Sequence, residues 1–273
     1  MLKDYMSNKY IFSSPIKKDQ FILFIEFMLE RGHNEYEEAL KILFNRSRLP
    51  SLNDDNMIEQ AIPKSINDAN RKIKNKNYYI SNALCFLDIS KMLCNDIQGK
   101  IDFIDTLEND NIYIYNYHYL FRCLYFDSIE LLRIFEENIL NIESQFTLWK
   151  ASFQHTLTIY QFLKQTIFGQ QSFHSNIGRE IDMSILVIRQ MIELRIRRAI
   201  GLLGLFNKED DSVEPLRMDI ILDAINVVIN KYNNIINLSV PIHNLKRIYS
   251  WANIFTHSGI KAFSWLPIKC CFI

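Results

Sequence analysis

The stretch REIDMSILVIRQMIELRIRRAIGLL, residues 179–203, decides the fold class of this chain. At about 100° per residue, its apolar side chains fall on two nearly opposite sides of a helix. One side holds Ile185, Ile188, Ile192, Ile196, Ile200 and Leu203, and the other holds Val187, Met191, Leu194 and Leu202. A helix that is apolar on two sides is expected to be covered on both, so the pattern predicts a central helix of a bundle.

The rest of the chain has the same helical period. The 273 residues include only 7 glycines and 6 prolines, which leaves few sharp turns, and no segment alternates for long. We therefore expect an all-α protein with an N-terminal helical region, residues 1–172, and a C-terminal helical bundle, residues 173–273. The polar segment QQSFHSNIG, residues 170–178, is the expected joint between them.

Glycine and proline predict the ends of individual helices. Ser14 followed by Pro15 opens a helix that is expected to end at Gly32. A buried helix is predicted to end before Gly99, and the last helix is predicted to begin near Pro241.

Two further stretches are predicted to be helical. NIYIYNYHYLF, residues 111–121, alternates for a few positions, but it continues directly into a helical pattern, so one long helix is expected. SQFTLWKASFQHTLTIYQFLKQTIFG, residues 144–169, is expected to form another helix that ends at its glycine.

Charge and cysteine content exclude several classes of protein. Lys plus Arg equals Asp plus Glu at 31 each, so no overall field attracts the chain to nucleic acid or to a membrane. The 5 cysteines are odd in number and form no CxxC knuckle, which favours a reducing compartment over a disulfide framework or a metal site. No cofactor and no metal are predicted.

The amino-terminal residues predict a cytoplasmic protein, because they lack the charged and apolar regions of a secretory signal. The most apolar run, FILFIEFML at residues 21–29, is interrupted by Glu26 and is far shorter than the roughly 20 residues needed to cross a bilayer. No membrane association is expected.

Three charged residues lie between the two apolar sides of the helix at residues 179–203. Arg189, Glu193 and Arg197, here called the charged strip, follow one another at intervals of four residues. Partly desolvated charges need partners, and Glu193 can pair with the arginines of its own helix. Alternatively, Glu193 and Arg197 reach the last helix and position a functional group there.

The last helix offers such a group in Asn253 and His257. Four residues apart, both side chains lie on the same helix face. A histidine with an ordinary pKa of about 6.5 can accept and return a proton near neutral pH, as cleavage of RNA through its 2′-hydroxyl requires. Alternatively, a histidine near a helix C-terminus stabilises the helix dipole or packs in a core.

These residues resemble the signature of the HEPN superfamily of helical domains. The family has an E-x3-K/R element on one helix and an R-N-x3-H motif on a later one. Here Glu193 and Arg197 supply the first, and Asn253 and His257 supply the second. Ala252 stands where the family has the arginine that would contact the scissile phosphate.

The resemblance implies a metal-independent endoribonuclease or RNA-binding protein, in a prokaryotic defence or toxin system and commonly a homodimer. His257 would be the general base or acid, Asn253 would orient it or the phosphate, and Glu193 with Arg197 would hold the geometry. RNA and a protein such as an antitoxin are the implied partners. The alternative is a non-catalytic helical module that binds a protein, in which His257 serves packing.

Overall fold

The computed structural model describes residues 18–51, 53–105, 110–142, 180–201, 204–214, 216–232, 240–258 and 263–272. Within these ranges the regular structure is helical, apart from one hairpin of two short strands. The all-α prediction is confirmed.

The elements are numbered in chain order. The helices are α1 (Lys18–Phe27), α2 (His33–Leu43), α3 (Asp54–Ala61), α4 (Ile66–Lys72), α5 (Lys76–Gln98), α6 (Ile101–Asp105), α7 (Asp110–Phe135), α8 (Glu180–Ile200), α9 (Met218–Lys231), α10 (Ile242–Ser258) and α11 (Trp265–Cys271). Two π-helical turns, Met28–Gly32 and Glu136–Leu140, follow α1 and α7. The hairpin consists of β1 (Leu205–Asn207) and β2 (Ser212–Glu214), which pair antiparallel.

The chain forms two compact units, and each unit is built from segments that are separated in the sequence. Unit 1 contains α1, α2, α5 to α7 and most of α11, and unit 2 contains α3, α4, α8 to α10 and the hairpin. Residues 54–71 therefore belong with the C-terminal helices, and residues 263–269 belong with the N-terminal ones. The predicted joint at residues 170–178 lies outside the described residues, so the boundary at residue 172 stays a prediction.

Aromatic side chains form much of the core of unit 1, where α5 packs against α7. The ring of Phe135 lies 4.9 Å from that of Phe44 and 5.3 Å from that of Tyr79, both edge to face. Trp265 of α11 is fully buried, and its indole Nε1 donates a hydrogen bond to Asn82 Oδ1 of α5 at 3.0 Å. One buried hydrogen bond thus ties residue 265 to the N-terminal helices.

The helix expected to end at Gly32 does not end there. Gly32 has right-handed helical angles, φ −58° and ψ −42°, and the π turn Met28–Gly32 leads directly into α2. A Cβ atom at Gly32 would lie only 2.8 Å from Met28 Sδ. The glycine thus permits close packing within the helix, and the prediction of a C-terminal stop is wrong.

The other boundary predictions within the described residues are confirmed. α5 ends at Gln98 with Gly99 as its C-cap, and α10 begins directly after Pro241. The alternating stretch 111–121 lies inside the single long helix α7. The start signal at Ser14 and the helix predicted over residues 144–169 lie outside the described residues.

Unit 2 is built around α10, against which α8 and α9 both pack. Its core consists of Met218, Ile221, Leu222, Ile242 and Tyr249, with Ile192 and Ile196 of α8 packed against it. The inner apolar side predicted for α8 is therefore a core side. In the part of the chain that the structure describes, every helix is too short or too polar to cross a bilayer.

Hydrogen bonds attach the α3–α4 segment to α10 within unit 2. Asn244 Nδ2 donates to Asp55 Oδ1 at 2.7 Å, and Arg247 Nη1 donates to the carbonyl oxygen of Ile62 at 3.2 Å. Residues about 190 positions apart in sequence thereby share one unit.

The outer apolar side of α8 is exposed. Val187, Met191 and Leu194, here called the α8 stripe, have 55%, 42% and 51% of their surface open to solvent. The prediction that both apolar sides of this helix are covered is wrong for the single chain. The helical period of the sequence indicates that a side of the helix is apolar, but it does not indicate what covers that side.

His33 is a buried titratable group in unit 1. Its Nε2 lies 2.9 Å from Ser90 Oγ. Burial, assisted by the positive charge of Lys91, lowers the pKa of His33 from 6.5 to about 4. The imidazole is therefore neutral in the folded protein at neutral pH.

We expect His33 to make unit 1 less stable in acid. Because its folded pKa lies below its unfolded value, the unfolded chain binds the extra proton, and stability is lost as pH falls from about 6.5 towards 4. The loss should be roughly 2 kcal/mol by pH 5. Urea unfolding at several pH values should show a shallower dependence for His33→Gln. The same change at exposed His243 is the control, and equal slopes for parent and His33→Gln would contradict the expectation.

Candidate functional site

The charged strip faces α10. Arg189 and Glu193 both contact Tyr249, whereas Ile196, further along α8, shares a groove with Leu245 near the start of α10. Contacts that lie closer to the C-terminus of α8 therefore lie closer to the N-terminus of α10, so the two helices run antiparallel.

The strip forms a network with Tyr249 at its centre. Arg197 Nη2 lies 3.1 Å from Glu193 Oε1 and donates a hydrogen bond of 2.6 Å to the carbonyl oxygen of Leu216. The Tyr249 hydroxyl donates to Glu193 Oε2 at 3.5 Å, and the Arg189 guanidinium lies over the Tyr249 ring at 5.7 Å. Glu193 therefore pairs with one arginine, Arg197, and the strip reaches the last helix through a tyrosine.

Asn253 and His257 lie further along the same helix. Asn253 is half-buried, and its Oδ1 atom has no hydrogen-bond partner. His257 is exposed in the last turn of α10, eight residues and about 12 Å along the axis from Tyr249. Within the described residues, no hydrogen bond or ion pair joins His257 to Glu193 or Arg197.

Of the four predicted site residues, Glu193 and Arg197 are thus in direct contact, and Asn253 lies on the helix that faces them. His257 lies further along α10, beyond the contact of Tyr249 with Glu193. Sequence reasoning missed Tyr249, although Tyr249, Asn253 and His257 have the same four-residue spacing as the charged strip. Polar residues at four-residue intervals on both packed helices are a sequence signal that could have identified it.

Neither Ala252 nor Arg247 provides the arginine of the R-N-x3-H motif. Ala252 is fully buried, so position 252 faces the core. Arg247 is 13% exposed and is bonded to the Ile62 carbonyl, with Glu59 at 3.4 Å. Both positions serve the packing of α10.

The contacts of the network stabilise the folded unit. Arg197 places its guanidinium between a carboxylate and a backbone carbonyl, both of which need a donor when they are partly desolvated. No cluster of three His, Cys, Asp or Glu side chains that could hold a metal occurs in the described ranges.

An apolar groove of about 440 Å³ is the second feature of unit 2. It lies between the end of α8, one side of α9 and the start of α10. Its lining includes Ile196, Ile200, Leu216, Ile220, Val228 and Leu245. The hairpin β1–β2 is inserted between Ile200 and Leu216, so both of its ends lie at this groove.

Comparison of the chain with models of protein families, with curated proteins and with solved structures found no match. Three features of unit 2 bear on its function: the charged strip, the α8 stripe and the groove.

We expect Arg197→Ala to destabilise unit 2 by about 1–3 kcal/mol, because it leaves the Leu216 carbonyl and the Glu193 carboxylate without their donor. Arg48→Ala is the control. Arg48 is exposed and has no ion pair among the described residues, so its loss should cost less than about 0.5 kcal/mol. Urea unfolding of both variants measures the difference, and equal losses would contradict a structural role for the network.

Proposed function

We propose that this chain is a helical protein-interaction module and that unit 2 carries its contact surface. The observation that supports this proposal is the α8 stripe, a row of large apolar side chains about half open to solvent on a helix whose other side is packed. Large exposed apolar patches are rare on monomeric proteins and mark sites where another protein binds.

Two of the three charged groups of the strip are already used within unit 2, while Arg189 Nε has no hydrogen-bond partner. Glu193 and Arg197 bond to each other, to Tyr249 and to Leu216. The exposed side of α8 carries a row of apolar side chains, and arginines lie at the C-terminal end of this helix. Burying such a row against a partner is the common mode of helix recognition.

A crosslinking experiment tests this proposal. With a photo-crosslinking phenylalanine analogue in place of Met191, irradiation of the native cells should yield a covalent adduct of defined mass. The same analogue in place of Glu26, an exposed residue of α1, is the control. Adding Val187→Glu and Leu194→Glu should abolish the adduct, because charges would enter the buried row. No adduct, or the same adduct from position 26, would contradict the proposal.

The second candidate is the ribonuclease of the HEPN type. It is favoured by one observation: Glu193, Arg197 and Asn253 lie on packed helices, and the exposed imidazole of His257 has no partner among the described residues. In this proposal His257 transfers the proton, Asn253 orients it or the phosphate, and the Glu193–Arg197 pair holds the helices. RNA would be the substrate, in a defence or toxin setting. A homodimer would bring two sites together, and an antitoxin would be the protein partner.

Substitution of His257 separates the two candidates. If the second holds, the purified protein should cut labelled RNA in the presence of EDTA, and His257→Ala should lower the rate by roughly 10²-fold or more. His243→Ala, at an exposed position on the same helix, should leave the rate unchanged. Absence of cleavage by the parent protein, or equal rates for parent and His257→Ala, would end the ribonuclease proposal.

A further inference from the structure

The hairpin β1–β2 exposes apolar side chains on both faces. Leu205, Phe206 and Val213 are 57%, 59% and 67% exposed, and Phe206 lies opposite Val213 in the strand pairing. An isolated two-stranded hairpin is marginally stable in water. The hairpin therefore needs a surface that covers it.

The turn of this hairpin is acidic. Glu209, Asp210 and Asp211 follow Lys208, which gives the turn a formal charge of −2. Asp210 Oδ1 accepts hydrogen bonds from the backbone nitrogen and the hydroxyl of Ser212, at 3.1 and 2.6 Å. These bonds fix the turn, and its three carboxylates have no ion pair in the described part of the chain. A surface that covers the hairpin should be apolar and basic.

The groove of unit 2 has these two properties. It is lined by apolar side chains, and exposed cations lie beside it on both helices: Arg195 lies one turn before Ala199, and Lys231 lies three residues after Val228. These two residues, the cationic rim, have a formal charge of +2.

Among the described residues of unit 2, no carboxylate compensates the charges of the rim. Each described carboxylate of α8 and α9 is paired with another cation: Glu193 with Arg197, Asp219 with Arg217, and Asp223 with Lys246. No ion pair occupies Arg195 or Lys231 among the described side chains. Lys231 lies 5.4 Å from the ring of Tyr232 and keeps its charge exposed. An acidic partner would therefore find cations free to bind it.

The hairpin also lies close to the groove. Ile200, just before it, and Leu216, just after it, both line the groove, so the hairpin emerges at the edge of the groove. A two-fold axis beside this edge brings the hairpin of one copy over the groove of another and repeats the contact in the reverse direction. Such an isologous contact is self-complementary and is counted twice in the dimer.

We propose that two copies of this chain form a two-fold dimer by exchanging hairpins, each hairpin lying over the partner's groove with its acidic turn at the cationic rim. This inference goes beyond the proposed contact at the α8 stripe: it concerns a second surface of unit 2, and its partner there is a second copy of the chain. Phe206 and Val213 are buried against the groove. The opposite charges of turn and rim orient each hairpin in the partner's groove, and the two-fold axis lets both hairpins make this contact in one dimer.

Reversing the charges tests the dimer. The rim variant carries Arg195→Glu and Lys231→Glu, and the turn variant carries Glu209→Lys and Asp211→Asn, which suits the left-handed φ of 53° at position 211. All four positions are exposed, so both variants should keep the circular dichroism spectrum of the parent. Sedimentation across a dilution series should show a dimer for the parent and dissociation at least 10-fold weaker in affinity for each variant alone. An equal mixture of the two should restore the dimer, because the reversed rim then meets the reversed turn.

Any of three sedimentation results would overturn the exchange: a parent protein that is monomeric at every concentration, variants that dimerise as well as the parent, or a mixture that stays monomeric. A monomeric parent that still gives the Met191 adduct would leave the interaction module intact and remove only the dimer. A photo-crosslinker in place of Phe206 should give an adduct of twice the chain mass. An adduct with a different protein would mean that a foreign chain occupies the groove, and would overturn the proposal.

Discussion

Arg197 is the side chain on which the arrangement of unit 2 depends. Its guanidinium bonds to the Glu193 carboxylate on its own helix and to the carbonyl of Leu216 beyond the hairpin, while Glu193 accepts from the Tyr249 hydroxyl. Because a guanidinium has five donors in a rigid plane, one side chain can fix α8, α10 and the end of the hairpin together. This network determines which side of α8 faces inward. The side that carries Met191 then has to face outward.

The same network limits what chemistry unit 2 can perform. Charges satisfied by each other and by the backbone are poorly placed to bind a substrate, since their release would leave buried polar groups unpaired. His257 is exposed but lies about two helical turns from Tyr249. The apolar side chains of the α8 stripe and the hairpin, by contrast, are exposed in the part of the chain that the structure describes. An interaction role therefore explains more of the described surface than a cleavage role does.

Local patterns predicted the helices well because helix formation is decided by neighbouring residues: the C-cap at Gly99 and the long helix through residues 111–121 follow from period and capping alone. The stop predicted at Gly32 is wrong because the glycine keeps right-handed helical angles, and its missing Cβ leaves room for the Met28 side chain one turn earlier. The hairpin was missed because strands of three residues are too short to alternate. In the candidate site, the charged strip was evident from spacing, but its partner Tyr249 depends on how two distant helices pack.

The interleaving of the two units constrains how the chain can be made. Unit 1 obtains its buried Trp265 only after residues 54–262 have been synthesised, and α10 finds its hydrogen-bond partner Asp55 in a segment made long before it. Neither unit can mature alone while the ribosome is still translating. The surface of α5 that Trp265 covers, at Asn82 and Phe86, stays open until translation has passed the tryptophan, and exposed apolar surface of this kind makes an incomplete chain prone to aggregate.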